Sequence, residues 1–88
     1  MVRGPVYVSI DMDGFDPAFA PGVSHREPGG LTVRDALGVI QTLEGPLVGA
    51  DVVELNPSRD ACGLTIHVGA KLVRELASRM WETKATEE

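Results

Sequence analysis

The spacing of apolar and polar positions along the chain predicts two strands that alternate with two helices. Residues 6–10 are β-branched or aromatic at most positions, which is typical of a strand covered on both faces, as in a parallel sheet. Residues 47–55 are again largely apolar and predict a second strand, which Asn56-Pro57-Ser58 ends. Between them, residues 12–30 are rich in glycine and proline and predict an ordered functional loop, since structureless loops of that length are uncommon.

Each predicted strand is followed by apolar residues at helical spacing. Thr32 and Asp35 have the spacing of a capping box, and Gly45-Pro46 ends the first helix. A closing helix is predicted from about Thr65. Its marked face comprises Ile66, Gly69, Ala70, Val73, Ala77 and Met80. Residues 84–88 are polar, and we expect them to fray.

A strand–helix–strand order implies a right-handed parallel crossover, so the predicted fold class is α/β with a parallel sheet. Two parallel strands cannot cover each other, and their outer edges carry unpaired backbone groups. The hydrophobic runs therefore demand neighbouring strands that this chain does not contain. We expect a fragment of a larger α/β protein, or a module that pairs with another chain.

Length and charge restrict the function further. Eighty-eight residues allow one small domain at most. A net charge of −5 argues against nucleic acid as a partner, because a phosphate backbone requires a basic face. A single cysteine, Cys62, excludes a disulfide framework and a thiolate zinc site built from this chain alone. No apolar run approaches the ~18 residues of a membrane span.

Carboxylates are concentrated directly after the first predicted strand, where Asp11, Asp13 and Asp16 fall within six residues. Sites in parallel sheets form beyond the carboxyl ends of the strands. In an extended segment, Asp11 and Asp13 would face the same side and could share a hard cation such as Mg²⁺, Mn²⁺ or Ca²⁺. Turn or capping roles are the alternative for these acids, and we favour that alternative for Asp16, which precedes Pro17.

Three kinds of site compete for this motif. An EF-hand loop is excluded, because the third acid, the glycine and the bidentate glutamate are not at the required spacing. The motif Asp11-Met12-Asp13-Gly14 resembles the phosphotransferases of the haloacid dehalogenase type, although Phe15 stands where that family usually has Thr or Val. The third kind of site accounts for more of the sequence.

The acids of this motif belong to a longer pattern, which comprises Ser9, Asp11, Asp13, Pro17, Pro21-Gly22 and Gly30. This pattern resembles the signature of the ureohydrolases of the arginase and agmatinase family, and the chain resembles plant-type arginases most of all. Residues 16–25, 27–31, 52–57 and 70–76 look most like the plant-type members. The resemblance implies the C-terminal portion of a ureohydrolase domain over residues 1–83, as a βαβα fragment of a three-layer α/β/α fold.

The resemblance also implies a reaction and a set of site residues. In that family a binuclear Mn²⁺ site activates a bridging hydroxide, which attacks the guanidinium carbon and releases urea. By resemblance, Asp11 and Asp13 are metal ligands, and Glu54 is the acid that binds the guanidinium. His25 resembles a histidine that plant-type members carry in the substrate loop. Asp11, Asp13 and Glu54 are thus the expected catalytic residues, and Glu54 and His25 the expected substrate-binding residues.

The family's other metal ligands, an upstream histidine and an Asp-x-His-x-Asp segment, have no counterpart in this chain. We therefore expect hydrolysis of L-arginine to ornithine and urea only as part of a longer chain, with agmatine as the alternative substrate. A non-catalytic fragment that binds partner subunits is a further hypothesis. The resemblance implies that the complete protein is a homotrimer or a homohexamer. For a plant-type arginase it also implies a location in the mitochondrial matrix, with the targeting segment upstream. For any other member we expect a location in the cytoplasm.

Overall fold

The computed structural model describes residues 4–87 and the side chains of residues 4–82, which fold into two strands, two helices and two 3₁₀ turns. The bounds are β1 Val6–Asp11, α1 Val33–Gln41, β2 Leu47–Val53 and α2 Leu64–Glu87. The strands pair in parallel, with Asp11 beside Val53. The predicted α/β order with a parallel sheet is confirmed.

Helix α1 begins as its capping box predicts. The Asp35 backbone N–H donates to Thr32 Oγ1 at 3.0 Å, and the Thr32 N–H donates back to Asp35 Oδ2 at 3.1 Å. The bond that the Thr32 N–H donates to the Asp35 carboxylate, and after it the Thr32 hydroxyl, hold the pKa of Asp35 below its usual value. The helix ends at Gln41, earlier than Gly45-Pro46, and the Thr42 hydroxyl closes it by donating to Gly38 O at 2.7 Å.

The core lies between one face of the sheet and the two helices. Its largest fully buried side chains are Phe15, Met12, Ile40, Leu47 and Leu72. Along β1, half-buried residues alternate with exposed ones, so only one face of this strand is covered within residues 4–87. The apolar runs indicate strands that are covered on both faces. The described residues cover only one face of the sheet.

Helix α2 packs through a face that overlaps the predicted one only in part, since Gly69 is buried and Met80 packs against the core. Ile66 is 47% exposed and Val73 is 54% exposed. The buried stripe instead comprises Thr65, Val68, Leu72 and Leu76. Both sets of residues have helical spacing, so periodicity alone could not choose between them, and packing against β2 and α1 selects the second.

The end of α2 also differs from the expected boundary. The helix continues past Met80 to Glu87, and this segment contains no glycine or proline to end it. Arg79 anchors it, because its Nη2 donates to Leu43 O at 2.6 Å. Fraying of residues 84–88 stays a prediction, and Glu88 lies outside the described residues. Neither α2 nor the other helix described between residues 4 and 87 has the length and apolar character required to cross a membrane.

Candidate functional site

Asp11 and Asp13 lie at the carboxyl end of β1, where the chain turns. Asp11 is the last residue of the strand, and Asp13 lies in the 3₁₀ turn Met12–Gly14. Asp11 Oδ1 accepts a hydrogen bond from the Asp13 backbone N–H at 2.9 Å and so caps this turn. The extended conformation assumed for both acids thus ends at Asp11. The capping role that was the alternative is present in Asp11, and it leaves the second carboxylate oxygen of Asp11 outside this bond.

Asp13 has an unusual environment for a carboxylate. Its Oδ1 atom is buried and has no hydrogen-bond partner. A buried carboxylate oxygen without a partner is costly, and a bound cation would satisfy it. Carboxylate oxygens suit hard cations such as Mn²⁺, so this atom fits the metal that the sequence predicts. In residues 4–87, no three His, Cys, Asp or Glu side chains gather into a complete metal site.

Glu54 directly follows β2 and has a strained backbone. Its φ of 67° is the only positive value of a non-glycine residue in the described chain. Such a conformation costs about 1–3 kcal/mol and is concentrated at functional sites. Because Asp11 pairs with Val53, Glu54 lies at the same sheet edge as Asp11. The two residues belong to neighbouring strands, which are about 4.8 Å apart in a sheet. The structure therefore brings the acids of both strand ends to one edge, as the sequence predicts.

The long loop returns to the end of β1. Phe15 pairs with Leu31 in an isolated parallel bridge. The Leu31 N–H donates to Gly14 O at 2.9 Å, and the Asp16 N–H donates to Leu31 O at 2.9 Å. Gly30 is required at this crossing, since a Cβ there would lie 2.7 Å from Gly14 O. The loop is ordered, as predicted.

Asp16 has the turn role that was favoured for it. Its Oδ1 accepts from the Ala18 N–H at 2.9 Å, and its Oδ2 accepts from the Gly29 N–H at 3.0 Å. These bonds, the one from Ala18 first, lower the pKa of Asp16 below its usual value. Asp16 thus joins the two ends of the loop.

His25 is exposed and lies between two residues that are fixed to the segment after Glu54. Ser24 Oγ accepts from Asn56 Nδ2 at 3.0 Å, and Arg26 Nη2 donates to Arg59 O at 2.8 Å. Sequence reasoning missed Ser24, Arg26 and Asn56 as site residues. The sequence indicates only that Asn56 lies at a strand end. The partners of these two bonds are 32 and 33 positions apart along the chain, and no local sequence pattern reveals such a pairing.

Asp60 caps the start of helix α2. Asp60 accepts from the Thr65 and Ile66 N–H groups at the start of α2, each at 3.0 Å. Burial alone raises the pKa of Asp60 and is the largest single influence, but these bonds, the Thr65 hydroxyl and nearby His67 together lower it. His67 is exposed to solvent.

Comparison with known proteins decides between the kinds of site. The model of the Arginase family matches residues 1–78. The chain belongs to the arginase family. This assignment leaves the haloacid dehalogenase alternative without support.

Individual relatives agree with the arginase family assignment. The mitochondrial arginase of Medicago truncatula is 63% identical over 90% of this chain and 23% of its own length. The solved structure of the Medicago truncatula arginase superimposes with a TM-score of 0.83, at 63% identity, over 85% of this chain and 24% of that one. A guanidinopropionase of Pseudomonas aeruginosa is 48% identical over 93% of this chain and 26% of its own length. The chain thus spans about a quarter of the length of these relatives.

Proposed function

We propose that this chain forms part of the active site of a manganese-dependent arginase, which hydrolyses L-arginine to ornithine and urea. The observation that carries the proposal is the placement of two acid-bearing strand ends at one sheet edge. There the buried Oδ1 of Asp13 has no hydrogen-bond partner, and Glu54 has a strained backbone. High identity to plant arginases over this same segment supports it. Because the other ligands are missing, we expect the 88 residues alone to be inactive.

Asp11 and Asp13 would hold the metal. Two carboxylates at one strand end repel each other, and a cation held between or beside them would offset this repulsion. When bound there, manganese would supply a water nucleophile at neutral pH. The chain's own contribution is a fixed set of oxygen ligands, since the bond from the Asp13 N–H restrains the Asp11 carboxylate.

Glu54 would bind the guanidinium of the substrate. A planar guanidinium presents parallel N–H donors, which the two oxygens of a carboxylate accept together. The left-handed backbone at Glu54 turns the chain away from the strand direction. The side chain is exposed, as a substrate-binding group at the sheet edge must be before substrate binds.

His25 would contact the opposite end of the substrate from the loop over residues 21–26. Because relatives that are 62–63% identical are named arginases, we choose L-arginine over agmatine as the substrate. A guanidinopropionase at 48% identity supports a guanidino compound as the general substrate class. The relatives' names likewise support a mitochondrial location, and we propose the matrix as the compartment. We also propose that the complete protein is a homotrimer or a homohexamer, as the resemblance implies.

Urea release from a complete protein tests this function. Residues 6–80 would replace the matching segment of the Medicago truncatula arginase, giving what we call the chimeric arginase. We expect it to release urea from L-arginine faster than from agmatine, and to lose this activity in Asp11→Asn. Equal or greater activity on agmatine would overturn the choice of L-arginine. A folded, manganese-loaded chimera with no urea release from either compound would overturn the function.

Association without catalysis is a second candidate function, and the exposed sheet surface favours it. Tyr7, Val48 and Val53 are 61%, 59% and 39% exposed, although strands of this composition are normally covered. Such a surface fits the remaining part of an arginase-family chain. Co-purification of the 88 residues with the rest of the Medicago truncatula arginase, supplied as a separate polypeptide, would support this function. A monodisperse monomer in the same mixture would contradict it.

A further inference from the structure

Asn56 uses its backbone and both ends of its side chain to join two parts of the site. Its backbone N–H donates to Gly22 O at 2.7 Å, and its Nδ2 donates to Ser24 Oγ at 3.0 Å. Its Oδ1 accepts from the Ser58 N–H at 3.2 Å and from the Ser58 hydroxyl at 2.6 Å. One residue therefore connects the loop over residues 21–26, here called the His25 loop, to the turn that follows β2.

We propose that Asn56 is a positioning residue that fixes the His25 loop relative to Glu54 and so selects the length of the guanidino substrate. The proposal rests on the proposed function, in which Glu54 binds the guanidinium and His25 contacts the other end. Asn56 touches neither the reacting atoms nor the substrate in this assignment. It acts through Ser24 on one side and through the backbone of Glu54 on the other.

The His25 loop is held on both sides of His25. Ser24 precedes it and binds Asn56, whereas Arg26 follows it and donates to Arg59 O at 2.8 Å and to Pro21 O at 2.7 Å. Asn56 and Arg59, which bind the residues on either side of His25, lie on the same short turn. Because the two attachments flank a single residue, the backbone of His25 has little freedom to move independently of that turn.

The base of the loop is fixed by close packing. The Gly22 N–H donates to the buried Thr65 Oγ1 at 2.7 Å. A Cβ at Gly22 would lie 2.6 Å from Asp60 Cβ, so only glycine fits against the start of α2. The carbonyl of Gly22 that accepts from Asn56 thus belongs to a rigid part of the molecule, and it gives the Asn56 backbone a fixed point.

The same fixed point restrains Glu54. Only Leu55 separates Glu54 from Asn56, a span of about 7 Å when extended. Glu54 has a φ of 67°, a conformation that persists only when its surroundings enforce it. Anchoring of Asn56 to Gly22 provides such enforcement. This backbone bond does not depend on the Asn56 side chain, so loss of the side-chain bond to Ser24 moves the His25 loop relative to a Glu54 that stays in place.

A fixed separation between the two recognition groups discriminates by substrate length. We expect a guanidino compound that is one or two methylenes shorter than L-arginine to lose one of these two contacts. When the connection is loosened, the loop adapts and this discrimination falls. The expected signature is a raised KM for L-arginine with kcat changed much less, because the metal ligands on β1 are not touched.

The test compares variants in the chimeric arginase with controls on the same hydrogen-bond network. Ser24→Ala removes the acceptor of Asn56 Nδ2, and Asn56→Ala removes the whole side chain. Ser24→Thr keeps a hydroxyl at that position. Ser58→Ala removes a hydrogen bond to Asn56 Oδ1 on the side away from the loop.

We expect Ser24→Ala and Asn56→Ala to raise KM for L-arginine by roughly 3- to 10-fold, the range that one or two neutral hydrogen bonds support, with kcat within about twofold. The ratio of kcat/KM for L-arginine to that for 3-guanidinopropionate should fall. Ser24→Thr should restore both quantities, and Ser58→Ala should leave them near the parent values. Unchanged KM and selectivity in Ser24→Ala, or equal effects of Ser24→Ala and Ser24→Thr, would overturn the proposal.

Amide hydrogen exchange of residues 21–26 provides a readout that does not depend on catalysis. Ser24→Ala should speed exchange in this peptide, whereas Ser24→Thr should not. If the parent chimera releases no urea but shows this exchange pattern, the proposed function fails while the connection through Asn56 stands. If urea is released and exchange is the same in both variants, the connection fails while the function stands.

Discussion

Glu54 combines a position at the sheet edge with a backbone conformation that a glutamate rarely adopts. Its φ of 67° lies in the left-handed region, where a Cβ is crowded by the backbone. The sequence predicts the position of Glu54, because it follows a buried-type strand. It could not predict the conformation, since glutamate has no preference for it.

Replacement of Glu54 by glycine and by alanine separates backbone strain from side-chain function. Both variants remove the carboxylate, but only glycine relieves the positive φ. We expect Glu54→Gly to be more stable than Glu54→Ala by about 1 kcal/mol. Urea denaturation of the 88-residue chain measures this difference, and identical midpoints would show that Glu54 is not strained. In the chimeric arginase, both variants should lose urea release.

Asp11 and Asp13 show how far residue-level reasoning from sequence extends. Their type and their place after β1 indicate a cation site, and the buried oxygen of Asp13 without a partner agrees with that prediction. The turn that begins at Met12 was not predicted, because Asp11 itself creates it by capping. A short side chain that bonds to the backbone two residues on competes with the extended conformation.

At the level of elements, the crossing of the long loop over β1 depends on Gly30. A Cβ there would lie 2.7 Å from Gly14 O and 2.8 Å from Asp16 N, and both of these are backbone atoms that cannot move aside. We expect Gly30→Ala to destabilise the 88-residue chain by about 1–3 kcal/mol in urea denaturation.

Gly38 provides a matched control for Gly30, because nothing lies within 4 Å of the Cβ that alanine would add there. It lies inside α1, so Gly38→Ala should stabilise the chain by about 0.5–1 kcal/mol through helix propensity. A Gly30→Ala variant as stable as Gly38→Ala would contradict the close crossing of the loop.

The start of α2 should respond to pH through Asp60. Its pKa is lower in the folded chain than in the unfolded chain, so the cap stabilises the fold above the unfolded pKa of about 4 and is lost as the pH falls through the folded value. Asp60→Asn should therefore lower the urea midpoint of the 88-residue chain at pH 7 and approach the parent at pH 3. A constant difference across this range would contradict the role of the charge.

Helix α2 shows where sequence reasoning fails at this scale. The capping box of α1 was predicted correctly because its signal is local, with Thr32 and Asp35 three residues apart. The buried face of α2 was predicted only in part, with Ile66 and Val73 wrong, because two apolar stripes coexist on this helix. Which stripe is buried depends on the position of β2 and α1, and this information is not contained in the helix itself.

At the scale of the whole molecule, two strands and two helices cover one face of a parallel sheet and leave the other exposed. The sequence predicts this, because both strands are apolar at positions that the chain cannot cover. The relatives are about four times as long, which agrees with a sheet that continues beyond these strands. In the proposed function the metal site follows the same rule, since the described residues would contribute ligands from one strand end only.

The manganese content of the chimeric arginase tests the central claim, that this segment supplies metal ligands of an arginase site. We expect the parent protein to hold two manganese ions per chain and to release urea. We expect Asp13→Asn to hold fewer than two and to lose urea release by at least about 100-fold. Asp16→Asn, on the turn residue of the same motif, serves as the matched control and should keep its manganese. An Asp13→Asn protein that retains full manganese content and urea release would contradict the account.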